Sequence, residues 1–193
     1  CSPTRAVFCG GRGPGGNTDS KDYITMSSSG NASDFGNLVA ANRYNAGLSS
    51  STRGVTFGGA GVDVIQYITT ASTGNSTDFG DLAVVTASPG GTSNNVRGVI
   101  MGGNTPGPTI LNTIQYITIA STGNATDFGD LSAPKGGVPS ASSFTRVLYG
   151  GGHTGTDVEV NVIDTVQIAT TGNASDFGDL TAIMSFRGDS GIS

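Results

Sequence analysis

The sequence predicts an all-β fold built from four similar units. Three observations carry that expectation: 32 glycines in 193 residues, a ten-residue segment that recurs four times, and stretches where β-branched or aromatic residues alternate with polar ones. Glycine at this frequency is more than twice the ordinary ~7%. Without a matching excess of helix formers, it favours short strands joined by tight turns. Tryptophan is absent and charged residues make up 12% of the chain, so Val, Ile, Phe and Tyr must supply the core.

The repeat sets the order of the elements. SGNASDFGNL (29–38) returns as TGNSTDFGDL (73–82), TGNATDFGDL (122–131) and TGNASDFGDL (171–180), with its Asn at 31, 75, 124 and 173. A second landmark is an Arg, a short apolar run and a Gly-Gly pair: RAVFCGG (5–11), RGVTFGG (53–59), RGVIMGG (97–103) and RVLYGGG (146–152). Between the two lies a third: DYITMSS (22–28), IQYITTAS (65–72), IQYITIAS (114–121) and IDTVQIAT (163–170).

Each unit therefore reads as four strands. The first is short and small-residued, as in AGLSSS (46–51); the second ends at Gly-Gly; the third is the alternating QYIT stretch; the fourth begins at FGDL. Period-two alternation marks a half-buried strand. Four strands in some 48 residues, repeated, is the pattern of a β-propeller. The expected architecture is a four-bladed β-propeller, with blade 2 at 46–82, blade 3 at 90–131 and blade 4 at 138–180. Blade 1 takes 187–193 plus 1–38, the C-terminal strand joining the N-terminal blade and closing the ring. The spacing from Lys135 to Arg146 is eleven, and Arg187 to Arg5 across a head-to-tail join is also eleven. The same arithmetic permits a longer tandem array, or two chains pairing into an eight-bladed ring.

These landmarks resemble the kelch family. Kelch repeats carry a Gly-Gly pair ending the second strand, a Tyr in the third and a large aromatic opening the fourth. Tyr23, Tyr67 and Tyr116 match the Tyr position, and Phe35, Phe79, Phe128 and Phe177 stand where kelch usually has Trp. Thr165 replaces the fourth Tyr. The run STGNATDFGDL also resembles repeats of bacteriophage virion proteins, particularly those of marine phages. That likeness implies a virion or extracellular location.

Charge narrows the partners. With nine Lys plus Arg against fourteen Asp plus Glu, a net charge of −5, the chain lacks the positive stripe that phosphate backbones require, so nucleic acid is not expected. No apolar run is long enough to cross a bilayer, so no membrane is expected. Cys1 and Cys9 on one extended strand would lie over ~20 Å apart, too far to bridge.

Several motifs invite sharper readings and are outweighed by structural ones. DFG in four copies, without a Gly-rich loop, Lys or HRD partner, is not the kinase magnesium motif. Asp34, Asp78, Asp127 and Asp176 are expected to cap the hairpin between third and fourth strands, as Asx residues do. The pattern loosely resembles the Asp box of sialidase propellers, which is itself structural. Arg5, Arg53, Arg97 and Arg146 are expected to brace a neighbouring Asp or turn carbonyl; a shared anion site on the ring axis is the alternative. N-x-S/T at the four repeated Asn positions needs no glycan, and RGD at 187–189 is expected to be fortuitous. His153 is the sole histidine, no G-x-S-x-G elbow is present and no D-x-D-x-D spacing occurs. Neither catalysis, a metal nor a cofactor is expected.

The four units differ chiefly in two loop classes. Between second and third strands come GRGPGGNTDSK (11–21), GAGVDV (59–64), GNTPGPTILNT (103–113) and GHTGTDVEVNV (152–162). Between units come VAANRYN (39–45), AVVTASPGG (83–91), SAPKGG (132–137) and TAIMSFRG (181–188). In an up-down sheet both classes fall on one face, and binding loops diverge where scaffold turns do not. The candidate contacts are Arg12, Asn17, Asp19 and Lys21 in unit 1, Arg43 and Tyr44 in the first linker, Asn104 in unit 3, and His153, Asp157 and Glu159 in unit 4. The expected function is a non-enzymatic binding or structural module presenting this face to a protein or a host-surface glycan, as a monomeric ring or within a larger assembly. A glycan-active propeller enzyme and a cellular kelch-type adaptor are the alternatives.

Overall fold

The computed structural model describes residues 4–107, 109–137, 139–155 and 158–183. The described chain is all β, with no helix. Unit 1 contributes β1 (Arg5–Gly13), β2 (Gly16–Thr25) and β3 (Ser33–Asn42). Unit 2 contributes β4 (Ala46–Ser49), β5 (Arg53–Phe57), β6 (Val64–Thr69) and β7 (Thr77–Asp81). Unit 3 contributes β8 (Gly90–Ser93), β9 (Arg97–Met101), β10 (Thr113–Thr118) and β11 (Thr126–Asp130). Unit 4 contributes β12 (Ser140–Ser142), β13 (Arg146–Gly150), β16 (Val162–Gln167) and β17 (Ser175–Asp179), with the small hairpin β14 (His153–Gly155) and β15 (Val158–Glu159) inserted.

Units 2 to 4 are four-stranded antiparallel meanders in the expected strand order, and unit 1 is a three-stranded sheet, β1-β2-β3. The expected fourth strand of unit 1, at 187–193, and the RGD within it lie outside the described residues. The first strands β4, β8 and β12 run side by side, stitched by serines. Ser93 Oγ donates to the carbonyl of Ser49 at 2.7 Å, and Ser142 Oγ to that of Ser93 at 2.9 Å.

One irregularity recurs in every unit. The third-to-fourth-strand register shifts at Lys21/Asp22, Ile65/Gln66, Ile114/Gln115 and Ile163/Asp164. In unit 2, Ile65 opposes Gly80 and Gln66 opposes Asp78, so Phe79 is the extra residue of a β-bulge. A bulge re-aims its side chain, and here it drives the Phe into the core: Phe35, Phe79 and Phe128 are buried. Each ring meets the preceding Tyr edge to face, as in Tyr67–Phe79, with centroids 6.0 Å apart and planes at 80°. DFG is thus a strand-internal bulge, not a turn. The four aspartates lie inside the fourth strands, correcting their expected place in the hairpin. Asp34 and Asp176 still act locally, accepting from the amides of Gly36 and Gly178 at 3.1 and 3.0 Å.

The core lies between units. Leu48, Val55, Phe57, Ile65, Phe79 and Leu82 of unit 2 pack against Ile100, Ile117 and Ile119 of unit 3. Val99, Met101, Ile114, Phe128 and Leu131 of unit 3 pack in the same way against Val147, Tyr149, Val166 and Ile168 of unit 4. The unit 3 sheet is therefore apolar on both faces, unlike a sheet with one solvated side.

A fixed set of polar contacts accompanies each packing. The amides of Gly74, Gly123 and Gly172 donate to the carbonyls of Phe35, Phe79 and Phe128 of the preceding unit, all at 2.7 Å. Asn75, Asn124 and Asn173 then accept through Oδ1 from the amides of Asn37, Asp81 and Asp130 at 2.9, 3.0 and 3.1 Å. The approach is so close that a Cβ on Gly80 would stand 2.5 Å from Gly123 backbone, whereas one on Gly178 meets nothing within 4 Å. Both glycines have φ in the positive region, near 144° and 140°. Gly80→Ala therefore combines backbone strain with overpacking and is expected to cost about 2–4 kcal/mol. Gly178→Ala carries the strain alone, about 1–2 kcal/mol. Denaturant unfolding of the two variants measures the gap, and equal losses would refute the close approach.

Candidate functional site

Backbone hydrogen bonds tie the two variable loop classes into one belt. The linker after unit 1 reaches unit 2: the Asn42 side chain donates to Gly58 at 2.7 Å, and Ala60 donates to the carbonyl of Arg43 at 2.9 Å. The linker after unit 2 exchanges two bonds with unit 3, Ala87 with Asn104 at 2.7 and 2.8 Å. The linker after unit 3 exchanges two with unit 4, Gly136 with His153 at 3.0 and 3.1 Å. The uniform turns pair with one another instead: Thr70 donates to Thr52, Ile119 to Val96, and Ile168 to Thr145, at 2.9–3.0 Å. The variable loops thus make one belt, the variable rim, bonded from unit to unit, whereas these uniform turns bond within their own units.

The repeated arginines hold neighbouring units together. Arg5, Arg53 and Arg97 donate through Nη1 to the carbonyls of Thr70, Ile119 and Ile168 of the following unit, at 3.2, 2.9 and 2.9 Å. Each guanidinium also stacks on the Tyr of its own unit, 4.8, 4.4 and 4.3 Å from the centroids of Tyr23, Tyr67 and Tyr116. These bonds run to turn carbonyls, and no ion pair with the repeated aspartates is seen among the described residues. Arg146, whose unit has Thr165 in place of Tyr, lies 5.6 Å over Phe177.

On the variable rim, unit 1 departs from its expected loop. Residues 11–21 continue the β1–β2 hairpin, pairing Arg12 with Asn17 and Gly13 with Gly16. Arg12 and Asn17 are exposed near its tip and Asp19 is half-buried on β2. The hairpin lies beside the first linker because Thr18 pairs with Asn42. Glu159 is exposed on β15, and Asp157 lies outside the described residues.

Lys21 is not a surface contact, which corrects its place among the candidates. Its relative exposure is 0%. It occupies the position that Ile65, Ile114 and Ile163 hold in the other units, so the strand's alternation turns it inward. Its ammonium donates to the Gly74 carbonyl at 3.0 Å and to Ser76 Oγ at 2.9 Å. Burial holds its pKa below the ordinary value of 10.5, partly offset by Cys9 and Asp34. Burial likewise raises the Cys9 thiol above 9.0.

A lysine whose folded-state pKa is depressed destabilises the fold. That cost is fully present below the depressed value and vanishes as pH rises past the unfolded value. Lys21→Met is therefore expected to stabilise by about 1 kcal/mol at pH 7, with the advantage shrinking as pH rises from the depressed value toward 10.5 and absent above it. Paired unfolding curves of wild type and variant across pH check this. A less stable variant at pH 7 would show that the lysine's hydrogen bonds outweigh its desolvation.

Two spots on the variable rim stand out. Tyr44 is 52% exposed and held at φ 60°, in the left-handed region. Arg43 stacks 4.9 Å above its ring, and the buried Arg43 Nε has no partner among the described residues. Ser88 and Gly137 share this left-handed linker position at φ 50° and 59°. Glycine there is unstrained, and tyrosine is not. The second spot is a polar notch. The Asn104 Oδ1, buried and without a hydrogen-bond partner, converges on Gly136 with His153, whose Nε2 would stand 2.9 Å from a Cβ at that glycine.

Sequence reasoning missed Lys135 and Asp164, which form a buried ion pair at 2.8 Å with both side chains 1% exposed. Gln66 and Gln115 occupy the position of Asp164 and accept from the amides of Val39 and Ala83 in the preceding unit. The shorter Asp side chain is met by a lysine instead. The substitution of Asp for Gln, in register within the third landmark, was the signal available. Compared with known protein families and with curated proteins, the chain matches none.

Tyr44→Gly is expected to stabilise the fold by about 1 kcal/mol by releasing left-handed strain. Thermal or denaturant unfolding reads the sign, and destabilisation would mean that the ring's packing outweighs the strain.

Proposed function

We propose that the chain is a non-enzymatic binding and structural module: a β-propeller of kelch-type blades whose variable rim contacts another protein or a host-surface glycan. The observation that carries this reading is Tyr44, an exposed aromatic kept in a strained backbone conformation on the rim with an arginine stacked over it. Strain persists where the surrounding structure over-determines it, and such residues cluster at ligand clamps. An aromatic face, a guanidinium and an amide-imidazole notch are suited to a sugar ring or a protein's polar surface. The likeness of the TGNATDFGDL segments to phage repeats supports a place in a virion tail, fibre or surface. In a ring closed within the chain, residues 187–193 supply the first strand of the blade that β1–β3 begin. A ring completed by further units leaves the same rim facing outward.

A glycan array followed by titration of the best ligand tests the reading. Tyr44→Ala and His153→Ala are each expected to weaken binding at least about tenfold, while Ser121→Ala on the opposite rim leaves it unchanged. Binding lost with Ser121→Ala but kept in both rim variants would overturn it.

A further inference from the structure

The three junctions between consecutive units share one set of contacts, and among the described residues one half of that junction is exposed on unit 4 and the other on unit 1. At the leading face of unit 4, Phe177 is 50% exposed, where Phe35, Phe79 and Phe128 are buried to 3% or less. A Cβ on Gly178 meets nothing, where the equivalent glycines 36, 80 and 129 each face the next unit's backbone at 2.5 Å. Among the described residues Arg146 donates to no carbonyl of a following unit, and with Thr165 and Phe177 it lines an open groove of ≈ 370 Å³.

The trailing face of unit 1 is the matching half. Met26 and Phe8 are 61% and 58% exposed, although Ile119 and Ile168, and Ile100 and Tyr149, are 1% exposed at the same positions of units 3 and 4. Gly30, Asn31 and Ala32 are exposed, and no preceding unit meets them among the described residues.

We propose that these two faces join head to tail between copies of the chain. Gly30 of one copy donates to the Phe177 carbonyl of another, and Asn31 accepts from the Asp179 amide. Arg146 donates to the Met26 carbonyl, and Phe8 and Met26 cover Phe177. The occupant follows from the internal junctions: what covers a leading face in this molecule is, three times over, the trailing face of the same repeat. Both end faces are exposed among the described residues, and the trailing face of a second copy fits the leading face as the internal ones do. A heterologous contact of this kind closes only when the rotations sum to a full turn. Two copies joined at both ends make a ring of eight units, within the known range of propellers. The inference goes beyond the rim-binding reading and does not depend on what the rim binds.

Sedimentation equilibrium of the intact chain is expected to give twice the 19.2 kDa chain mass. Met26→Asp and Phe177→Asp each place a charge in the junction and are expected to raise the dimer dissociation constant at least about a hundredfold. Val158→Asp, at an exposed apolar residue on the variable rim, is expected to leave it unchanged. The altered side chains are exposed in the single chain, so each variant should retain cooperative unfolding. A wild type that stays at single-chain mass overturns the proposal, as does a mass beyond the dimer. Equal dimerisation of the two junction variants and wild type overturns it as well.

Discussion

The structure depends on one contact made three times: the backbone of a TGN segment laid against the DFG bulge of the preceding unit. The bulge turns its Phe into the core and leaves its carbonyl facing outward, free to accept the glycine amide of the next unit. The neighbouring Asn completes the junction by accepting from the amide two residues beyond the Phe. A side chain on the DFG glycine would hold the sheets apart, so that glycine permits the approach and the Phe–Tyr pair fills the space behind it. The arginine ties off the opposite end of the contact by bonding a turn carbonyl of the same neighbour. Because the apolar clusters span neighbouring units, the units that form them are not self-sufficient. Stability resides in the junctions, as in repeat arrays generally.

This arrangement explains why part of the sequence is uniform and part is not. The repeated arginines and the S/T-G-N segments bear the junction contacts, and both recur in every unit. The linkers and second-to-third-strand loops are joined mostly through backbone groups, as with Ala87 and Asn104 or Gly136 and His153. Their side chains are consequently free to differ. Tyr44 sits where the next two linkers have Ser88 and Gly137, and its exposed aromatic ring under Arg43 sets it apart from both.

The all-β character and the strand order within units 2 to 4 were legible because the repeat aligns four copies of each element. The role of the repeated arginines was half legible: bracing of a turn carbonyl was foreseen, but not that the carbonyl belongs to the next unit. Other features escaped for identifiable reasons. Lys21 looked like a loop residue because glycine and polar residues surround it; its register with Ile65 and Ile114 was the better guide. Residues 11–18 looked like a long loop, yet Pro14-Gly15 makes a short hairpin turn between extended strands. The repeated Asn residues carried the appearance of glycan acceptors, which obscured their part in joining units. Asp78 and Asp127 were placed in turns because DFG is turn-like in composition, and a bulge has the same composition.

Amide hydrogen exchange at Gly74, Gly123 and Gly172 tests the central claim most directly. All three residues are exposed to solvent, so burial alone does not shield their amides, but each makes a 2.7 Å bond across a junction. The account predicts that these amides exchange slowly, together with those of the core strands β6, β10 and β16. Fast exchange at the three glycines, while the strand amides stay protected, would contradict it.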